Sequence, residues 1–239
     1  MQVKPSLPPK PVSENWRPEL VRLPQMTFAR RAFRAFSHGL IKLVAKVCLN
    51  VSAEGMENLP QKGPLLIVIN HIGDADVPAI ISALPYPPDA LGKIELYDLP
   101  ILGKLIDWYG VIWLHRGRAD IRALRAALDG LAEGRVLVIA PEGRYSVTGA
   151  LEEGNGGAAF LAYKSGAPIL PIAISGSENE NVYGNMKRLR RARVHVKVGK
   201  MFRLHEQAGG RQEAAAQGTR QIMAALADLL PEKYRGEYS

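Results

Sequence analysis

A histidine and an aspartate at His-x4-Asp spacing lie where a predicted strand gives way to a predicted helix. The apolar run 65–69 is typical of a buried strand, His71 follows it closely, and Asp76 lies at or near the start of the next helix. A carboxylate there can accept a hydrogen bond from one imidazole nitrogen, so that the other nitrogen is free to take a proton from a hydroxyl. The alternative is an aspartate that caps the helix beside an incidental histidine.

Three further segments place charged side chains, glycines and prolines around predicted strands. Arginine and lysine at strand ends suit a phosphate group, and arginine offers it two parallel donors. The candidates are Lys93, Arg116 and Arg144, for which the alternative is a surface salt bridge. In chain order the segments are Lys93-Ile94-Glu95-Leu96 with Pro100, Gly103, Gly110 and Trp113-Leu114-His115-Arg116; Ala140-Pro141-Glu142-Gly143-Arg144-Tyr145-Ser146; and Gly166-Ala167-Pro168-Ile169-Leu170-Pro171-Ile172-Ala173-Ile174.

In order and interval, the histidine pair and these segments resemble the 1-acylglycerol-3-phosphate acyltransferases and their glycerolipid relatives over more than half of the chain. The resemblance implies that His71 is a general base, that Asp76 orients it, and that Arg116 and Glu142-Gly143 belong to the acceptor site. It implies transfer of a fatty acyl group from acyl-CoA or an acyl-carrier protein to the free hydroxyl of a lysophospholipid. Lysophosphatidic acid, which would become phosphatidic acid in phospholipid biosynthesis, is the expected acceptor.

Two departures from the family pattern leave the acceptor open. The family commonly has Glu-Gly-Thr-Arg-Ser where this chain has residues 142–146, so the arginine is displaced by one position and Tyr145 stands in its usual place. The segment that commonly ends Phe-Ile-Asp-Arg ends here in Trp113-Leu114-His115-Arg116. A different lysolipid or glycolipid acceptor is therefore an alternative, as is a non-catalytic membrane-binding protein of the same fold.

The sequence offers no nucleophile for an acyl-enzyme. It contains no Gly-x-Ser-x-Gly elbow, and its single cysteine, Cys48, lies within a predicted helix. A thioester is already activated, so direct attack by the acceptor hydroxyl requires mainly a base and positioning. Neither a metal nor a cofactor is expected.

Short apolar runs alternate with amphipathic ones from residue 51 onward, which predicts an α/β fold with a mixed, largely parallel central sheet flanked by helices. We assign residues 51–239 to one acyltransferase domain. The predicted strands are 65–69, 111–114, 135–140, 169–174 and 194–198, and the predicted helices are 77–84, 101–109, 119–133, 157–165 and 212–230.

A proline-rich arm at 1–24 precedes a predicted basic amphipathic helix at 25–50. Apolar residues recur every three or four positions on one face, and Arg30, Arg34, His38, Lys42 and Lys46 recur every four on another. This composition predicts a helix lying in an anionic membrane interface. The alternative is a terminal helix packed on the domain, with its basic face in solvent.

The net charge of +8 divides into +7 for residues 1–50, −6 for residues 51–180 and +7 for residues 181–239. The second basic flank is typical of a solvated strand edge, an anionic-lipid contact or a docking site for an acidic acyl donor. Nucleic acid is not expected as a partner, because no nucleic-acid motif appears and aromatic residues do not interleave the basic runs. We expect a peripheral protein on the cytoplasmic side of the cell membrane.

Overall fold

A seven-stranded mixed sheet forms the centre of the computed structural model, which describes residues 7–117, 119–205 and 210–239. The strand order is β1-β7-β6-β2-β5-β3-β4. Strands β6, β2, β5, β3 and β4 are mutually parallel, β7 is antiparallel to β6, and β1 is parallel to β7. The strands are β1 (Leu49–Glu54), β2 (Leu65–Ile69), β3 (Asp89–Lys93), β4 (Ile112–Leu114), β5 (Val136–Ile139), β6 (Ile169–Ser175) and β7 (Ala192–Val198).

Helices cover both faces of this sheet, because the central strands are apolar on both sides. All five residues of β2 and all seven of β6 are buried. Helices α1, α2 and α6 pack on one face, and α4, α5 and α7 pack on the other. The helices are α1 (Phe28–Cys48), α2 (Asp76–Ala83), α3 (Leu102–Tyr109), α4 (Ile121–Ala132), α5 (Gly157–Ser165), α6 (Asn179–Lys187) and α7 (Arg211–Ala227).

The structure confirms the predicted α/β fold with its mixed, largely parallel sheet and its N-terminal helix. All five predicted strands and all six predicted helices are present, with ends that differ by no more than three residues. The sequence reasoning missed β1, β3 and α6. Each has a weak apolar pattern: β3 is Asp-Ala-Leu-Gly-Lys, and α6 buries only Val182.

Helix α1 presents its apolar side to solvent and buries part of its basic side, unlike the alternative of a packed helix with its basic face in solvent. Arg34 is buried and forms an ion pair with Asp89 (Nη1–Oδ1 2.7 Å), and His38 is buried with its Nε2 3.1 Å from the carbonyl oxygen of Ile81. The large apolar residues of α1 are instead exposed: Phe28, Phe36, Leu40, Leu43, Val44 and Val47. Among the described residues, no helix has the length and apolarity needed to cross a membrane.

Helix α3 and the residue before it continue this exposed apolar surface at the β4 edge of the sheet. Their exposed side chains are Ile101, Leu102, Leu105 and Trp108, and the Trp108 ring packs 4.4 Å from that of Phe33 on α1. We call these ten exposed side chains of α1 and α3 the apolar platform. Contiguous exposed apolar surface on this scale marks a protein or membrane contact.

Candidate active site

The candidate residues lie at the end of the sheet where the carboxyl ends of the neighbouring parallel strands are found. His71 follows β2, Lys93 ends β3, Arg116 follows β4, and Glu142 follows β5. Strand β6 runs into the loop that carries Ser177. The site is thus assembled from five strand ends that are far apart in the chain.

His71 is held by Asp76, the first residue of α2. Its Nδ1 lies 2.7 Å from Asp76 Oδ2, which also accepts the backbone N–H groups of Ile72 (2.7 Å) and Gly73 (3.0 Å). Asp76 Oδ1 accepts a hydrogen bond from Ser177 Oγ. Four donors thus converge on the Asp76 carboxyl group, which orients the His71 ring through Nδ1.

The other imidazole nitrogen of His71 is available for chemistry. Nε2 has no hydrogen-bond partner within the described ranges, and the side chain is 21% exposed. The ring is fixed from the side by Tyr145, whose ring centre lies 4.1 Å away in an edge-on arrangement. An oriented imidazole with Nε2 open is the geometry that a general base requires.

Asp74 holds the hydroxyl groups of two tyrosines beside His71. Its two carboxylate oxygens accept hydrogen bonds from Tyr145 Oη (2.9 Å) and Tyr183 Oη (2.8 Å). Burial alone would raise the pKa of Asp74, but the hydrogen bonds from Tyr183 and Tyr145 outweigh it and lower the pKa. Burial and the bond to Asp74 raise the pKa of Tyr145, so this phenol remains a donor.

Glu142, expected at the acceptor site, lies buried beneath the backbone of His71. It is fully buried, and its oxygens accept the backbone N–H groups of His71 (3.2 Å) and Glu152 (2.9 Å). Burial raises its pKa to about 7, although these two hydrogen bonds act in the opposite direction. Glu142 therefore ties the β5 loop to the backbone of the base. The adjoining Gly143 is exposed and takes a positive φ of 72°.

Arg144, expected as a phosphate donor, is paired with Glu152 in the interior. Its Nε lies 2.7 Å from Glu152 Oε2, and both side chains are almost completely buried. Its Nη1 donates to the carbonyl oxygen of Pro8 at 2.7 Å. With its charge paired and its donors turned inward, Arg144 fastens the arm to the β5 loop.

Lys93 and Arg116 are the predicted cations that remain partly exposed. Lys93 Nζ lies 5.9 Å from the centre of the Tyr145 ring, which itself contacts His71. Arg116 Nη2 lies 3.6 Å from Glu95 Oε2, and Arg116 Nε is buried without a hydrogen-bond partner among the described atoms. The Arg116 charge is thus only loosely paired.

The proline-rich arm holds Arg116 in place. The backbone N–H of Arg116 donates to Ser13 Oγ (2.8 Å), and the backbone N–H of Ser13 donates to the carbonyl oxygen of Arg116 (3.1 Å). One residue earlier, His115 Nε2 accepts the backbone N–H of Arg17 at 2.9 Å. The described part of the arm therefore lies against the acceptor side of the site.

His115 belongs to a second His-x4-Asp pair, which the sequence reasoning did not single out. His115 Nδ1 lies 2.7 Å from Asp120 Oδ2, as in the first pair, and the same oxygen accepts the backbone N–H of His115 at 3.0 Å. His115 is buried and its Nε2 is occupied by the arm. This pair therefore has a structural role.

The sequence reasoning also missed Ser177, Asp74 and Tyr183. Asp74 lies between His71 and Asp76 in the chain, so its proximity to them was predictable. Its hydrogen bonds with two tyrosines were not. Ser177 and Tyr183 follow β6, a hundred residues after Asp76. In the structure, a Cβ at Gly73 would overlap the carbonyl oxygen of Ser177, so this close approach requires glycine.

The arrangement contains an imidazole with one nitrogen open, a carboxylate bonded to its other nitrogen, and two partly exposed cations at the ends of β3 and β4. Within the described ranges, no three His, Cys, Asp or Glu side chains are grouped as ligands for a metal ion.

Comparisons with known proteins identify acyltransferases as similar in sequence and in fold. The family model described as Acyltransferase matches residues 50–175. The chloroplastic 1-acyl-sn-glycerol-3-phosphate acyltransferase of Arabidopsis thaliana is 29% identical over 70% of this chain and 49% of its own length. The lyso-ornithine lipid O-acyltransferase of Pseudomonas aeruginosa is 32% identical over 57% of this chain and 51% of its own length. The chain thus spans about half the length of these curated relatives.

A solved structure shares the fold. The crystal structure of the 1-acyl-sn-glycerophosphate acyltransferase PlsC from Thermotoga maritima aligns with a TM-score of 0.62 and 22% identity, over 85% of this chain and 84% of its own. The matched family region includes β1 to β6 and the loop carrying His71 and Asp76. On this match, the chain belongs to the acyltransferase family.

Proposed function

We propose that the chain transfers a fatty acyl group from an acyl thioester to the free hydroxyl of a lysophospholipid at a membrane surface. The observation that carries this proposal is His71, whose Nδ1 is bound by Asp76 while Nε2 stays open. His71 Nε2 takes the proton of the acceptor hydroxyl as its oxygen attacks the thioester carbonyl carbon. The tetrahedral intermediate then expels the thiolate, which takes the proton back from Nε2, and Asp76 stabilises the imidazolium in between.

The experiment is an acyl-transfer assay with labelled acyl-CoA and, separately, labelled acyl-carrier protein. His71→Ala is expected to abolish turnover, since general-base help is worth about 10²–10⁴-fold. His205→Ala, at an exposed histidine after β7, is the matched control and should retain activity. Normal turnover by a folded His71→Ala variant would refute the proposed mechanism.

Lysophosphatidic acid is the proposed acceptor, which several relatives' names support. A phosphate monoester needs nearby cations, and Lys93 with the loosely paired Arg116 can supply them. Lys93→Gln should then raise KM for the acceptor more than it lowers kcat, because a phosphate contact remote from the reacting atoms contributes mainly to binding.

A less anionic acceptor is the second candidate. The observation that favours it is the burial of Arg144 against Glu152 and the presence of Glu95 beside Arg116. A lyso-ornithine lipid is such an acceptor, and a relative carries that name. A panel that compares lysophosphatidic acid, lysophosphatidylglycerol and lyso-ornithine lipid by kcat/KM decides between the two.

The apolar platform supports a peripheral membrane position for the enzyme, on the cytoplasmic side where acyl donors are found. Its side chains Phe36 and Leu43 are 65% and 59% exposed, so replacing them removes no core contact. Phe36→Ser/Leu43→Ser is expected to weaken binding to neutral and anionic vesicles alike, since it removes apolar area. Unchanged vesicle sedimentation would contradict this placement.

A further inference from the structure

The turn between α6 and β7 carries the most exposed large apolar side chain among the described residues. Leu189 is 98% exposed and takes a φ of 53°, a backbone conformation that costs a bulky residue energy. We call residues 186–191 the basic turn, because Leu189 is surrounded by Lys187, Arg188, Arg190 and Arg191. Met186 in the same turn is 42% exposed. Nothing in the proposed reaction uses this turn.

The cations of the basic turn have no acidic partners. Lys187, Arg188 and Arg190 are exposed and form no ion pair within the described part of the chain. Residues 181–205 contain no aspartate or glutamate at all. Positive charge concentrated around an exposed apolar side chain suits a membrane surface, which is anionic at its headgroups and apolar beneath them.

The basic turn adjoins the apolar platform. Arg191 Nη1 donates to the carbonyl oxygen of Lys46 at 3.3 Å, near the exposed Val44 and Val47 of α1. Helices α1 and α6 also pack on the same face of the sheet. A membrane that meets the platform is therefore within reach of the turn.

We propose that the basic turn is a second membrane contact, which inserts Leu189 and pairs Lys187, Arg188 and Arg190 with anionic lipid headgroups. This inference rests on the proposed membrane position of the enzyme and adds a selectivity for anionic lipid. The platform supplies apolar area, which is indifferent to headgroup charge. The turn supplies the preference for charge and a second point of attachment. Two points of contact restrict how the protein rotates on the surface.

The basic turn is also linked to the candidate active site. Tyr183, on the helix that ends in the turn, donates to Asp74, three residues from His71. Anchoring the turn therefore fixes the α6 side of the site relative to the bilayer from which a lysolipid would enter. An acidic carrier protein is the rival partner for the same charges, and the experiment separates it.

The test uses the triple variant Lys187→Gln/Arg188→Gln/Arg190→Gln with vesicles of phosphatidylcholine alone or mixed with phosphatidylglycerol. Each basic side chain near an anionic surface contributes about fivefold in partitioning, so the variant should bind the mixed vesicles about one hundredfold more weakly. Its binding to neutral vesicles and its acyl transfer in detergent micelles should be unchanged. The matched control, Arg122→Gln/Arg125→Gln/Arg220→Gln, removes three exposed cations from α4 and α7 on the opposite face.

A second variant separates membrane contact from folding. Leu189→Gly relieves the positive φ, so its unfolding temperature should not fall while its vesicle binding weakens. The inference is overturned if the triple variant binds mixed vesicles like the unchanged protein, or if the control loses as much. It is also overturned if only transfer from acyl-carrier protein falls. None of these results bears on acyl transfer in micelles, which tests the proposed function separately.

Discussion

Replacing the buried Glu142 with glutamine should remove part of the pH dependence of stability. Burial raises the pKa of this carboxyl from 4.5 to about 7 in the folded chain. The unfolded chain releases the proton near pH 4.5, whereas the folded chain holds it until about pH 7. The stability contributed by Glu142 is therefore fully present below pH 4.5 and is lost as the pH rises through 7.

The magnitude follows from the two pKa values. A tenfold change in proton affinity is about 1.4 kcal/mol, so the loss amounts to about 3 kcal/mol. Glutamine does not titrate, and the variant should lack this component at every pH. The absolute stability of Glu142→Gln does not isolate this component. In that variant the glutamine amide N–H faces the backbone N–H of Glu152 or His71, which costs about 1–3 kcal/mol.

The assay is urea denaturation of both proteins at pH 5 and pH 8. The difference in unfolding free energy between the two pH values should be larger in the unchanged protein than in Glu142→Gln. Glu57→Gln, at an exposed glutamate, controls for the loss of a carboxylate as such. Equal pH differences in the unchanged protein and in Glu142→Gln would refute the reasoning.

Three further substitutions test the contacts around the base. Ser177→Ala removes a donor to Asp76 and should lower kcat about fivefold without raising the acceptor KM, since one hydrogen bond contributes about 1 kcal/mol; a rise in KM alone in steady-state kinetics would contradict this role. Gly73→Ala drives a methyl group into the carbonyl of Ser177 and should cost about 1–3 kcal/mol in urea denaturation. Arg144→Met leaves Glu152 buried without its cation and should cost about 3–5 kcal/mol, part of which Arg144→Met/Glu152→Gln recovers; the same loss in both variants would show that charge pairing is not the cause.

The position of His71 was predictable from the sequence because it depends on features that are close together in the chain. An apolar run long enough for one buried strand ends in a polar loop that carries His71. Asp76 is the first residue of the helix that follows this loop. Ser177 was not predictable in the same way, because its contact with Asp76 depends on the neighbouring positions of β2 and β6 in the sheet. The internal pairing of Arg144 escaped prediction because Glu152 lies in an irregular loop eight residues away.

Helix α1 shows the same limit at the level of the fold. Its periodicity defines two faces correctly but does not say which of them meets the protein. Arg34 is turned inward by Asp89, which lies 55 residues further along the chain and also accepts from Arg135. A weak strand such as β3 is likewise defined by its neighbours, because its backbone pairs with β4 and β5 while its side chains show little pattern.

The two His-x4-Asp pairs show that equal spacing and equal His–Asp distance do not make two groups chemically equivalent. Both histidines lie 2.7 Å from their aspartates through Nδ1, and both therefore offer Nε2 as an acceptor. At 71 that acceptor is open to an incoming hydroxyl, whereas at 115 a backbone N–H occupies it. A chain shortened at its N-terminus so that it lacks Arg17 would uncover a second oriented imidazole beside Arg116. Histidine-directed acylating reagents would then label His115 as well as His71.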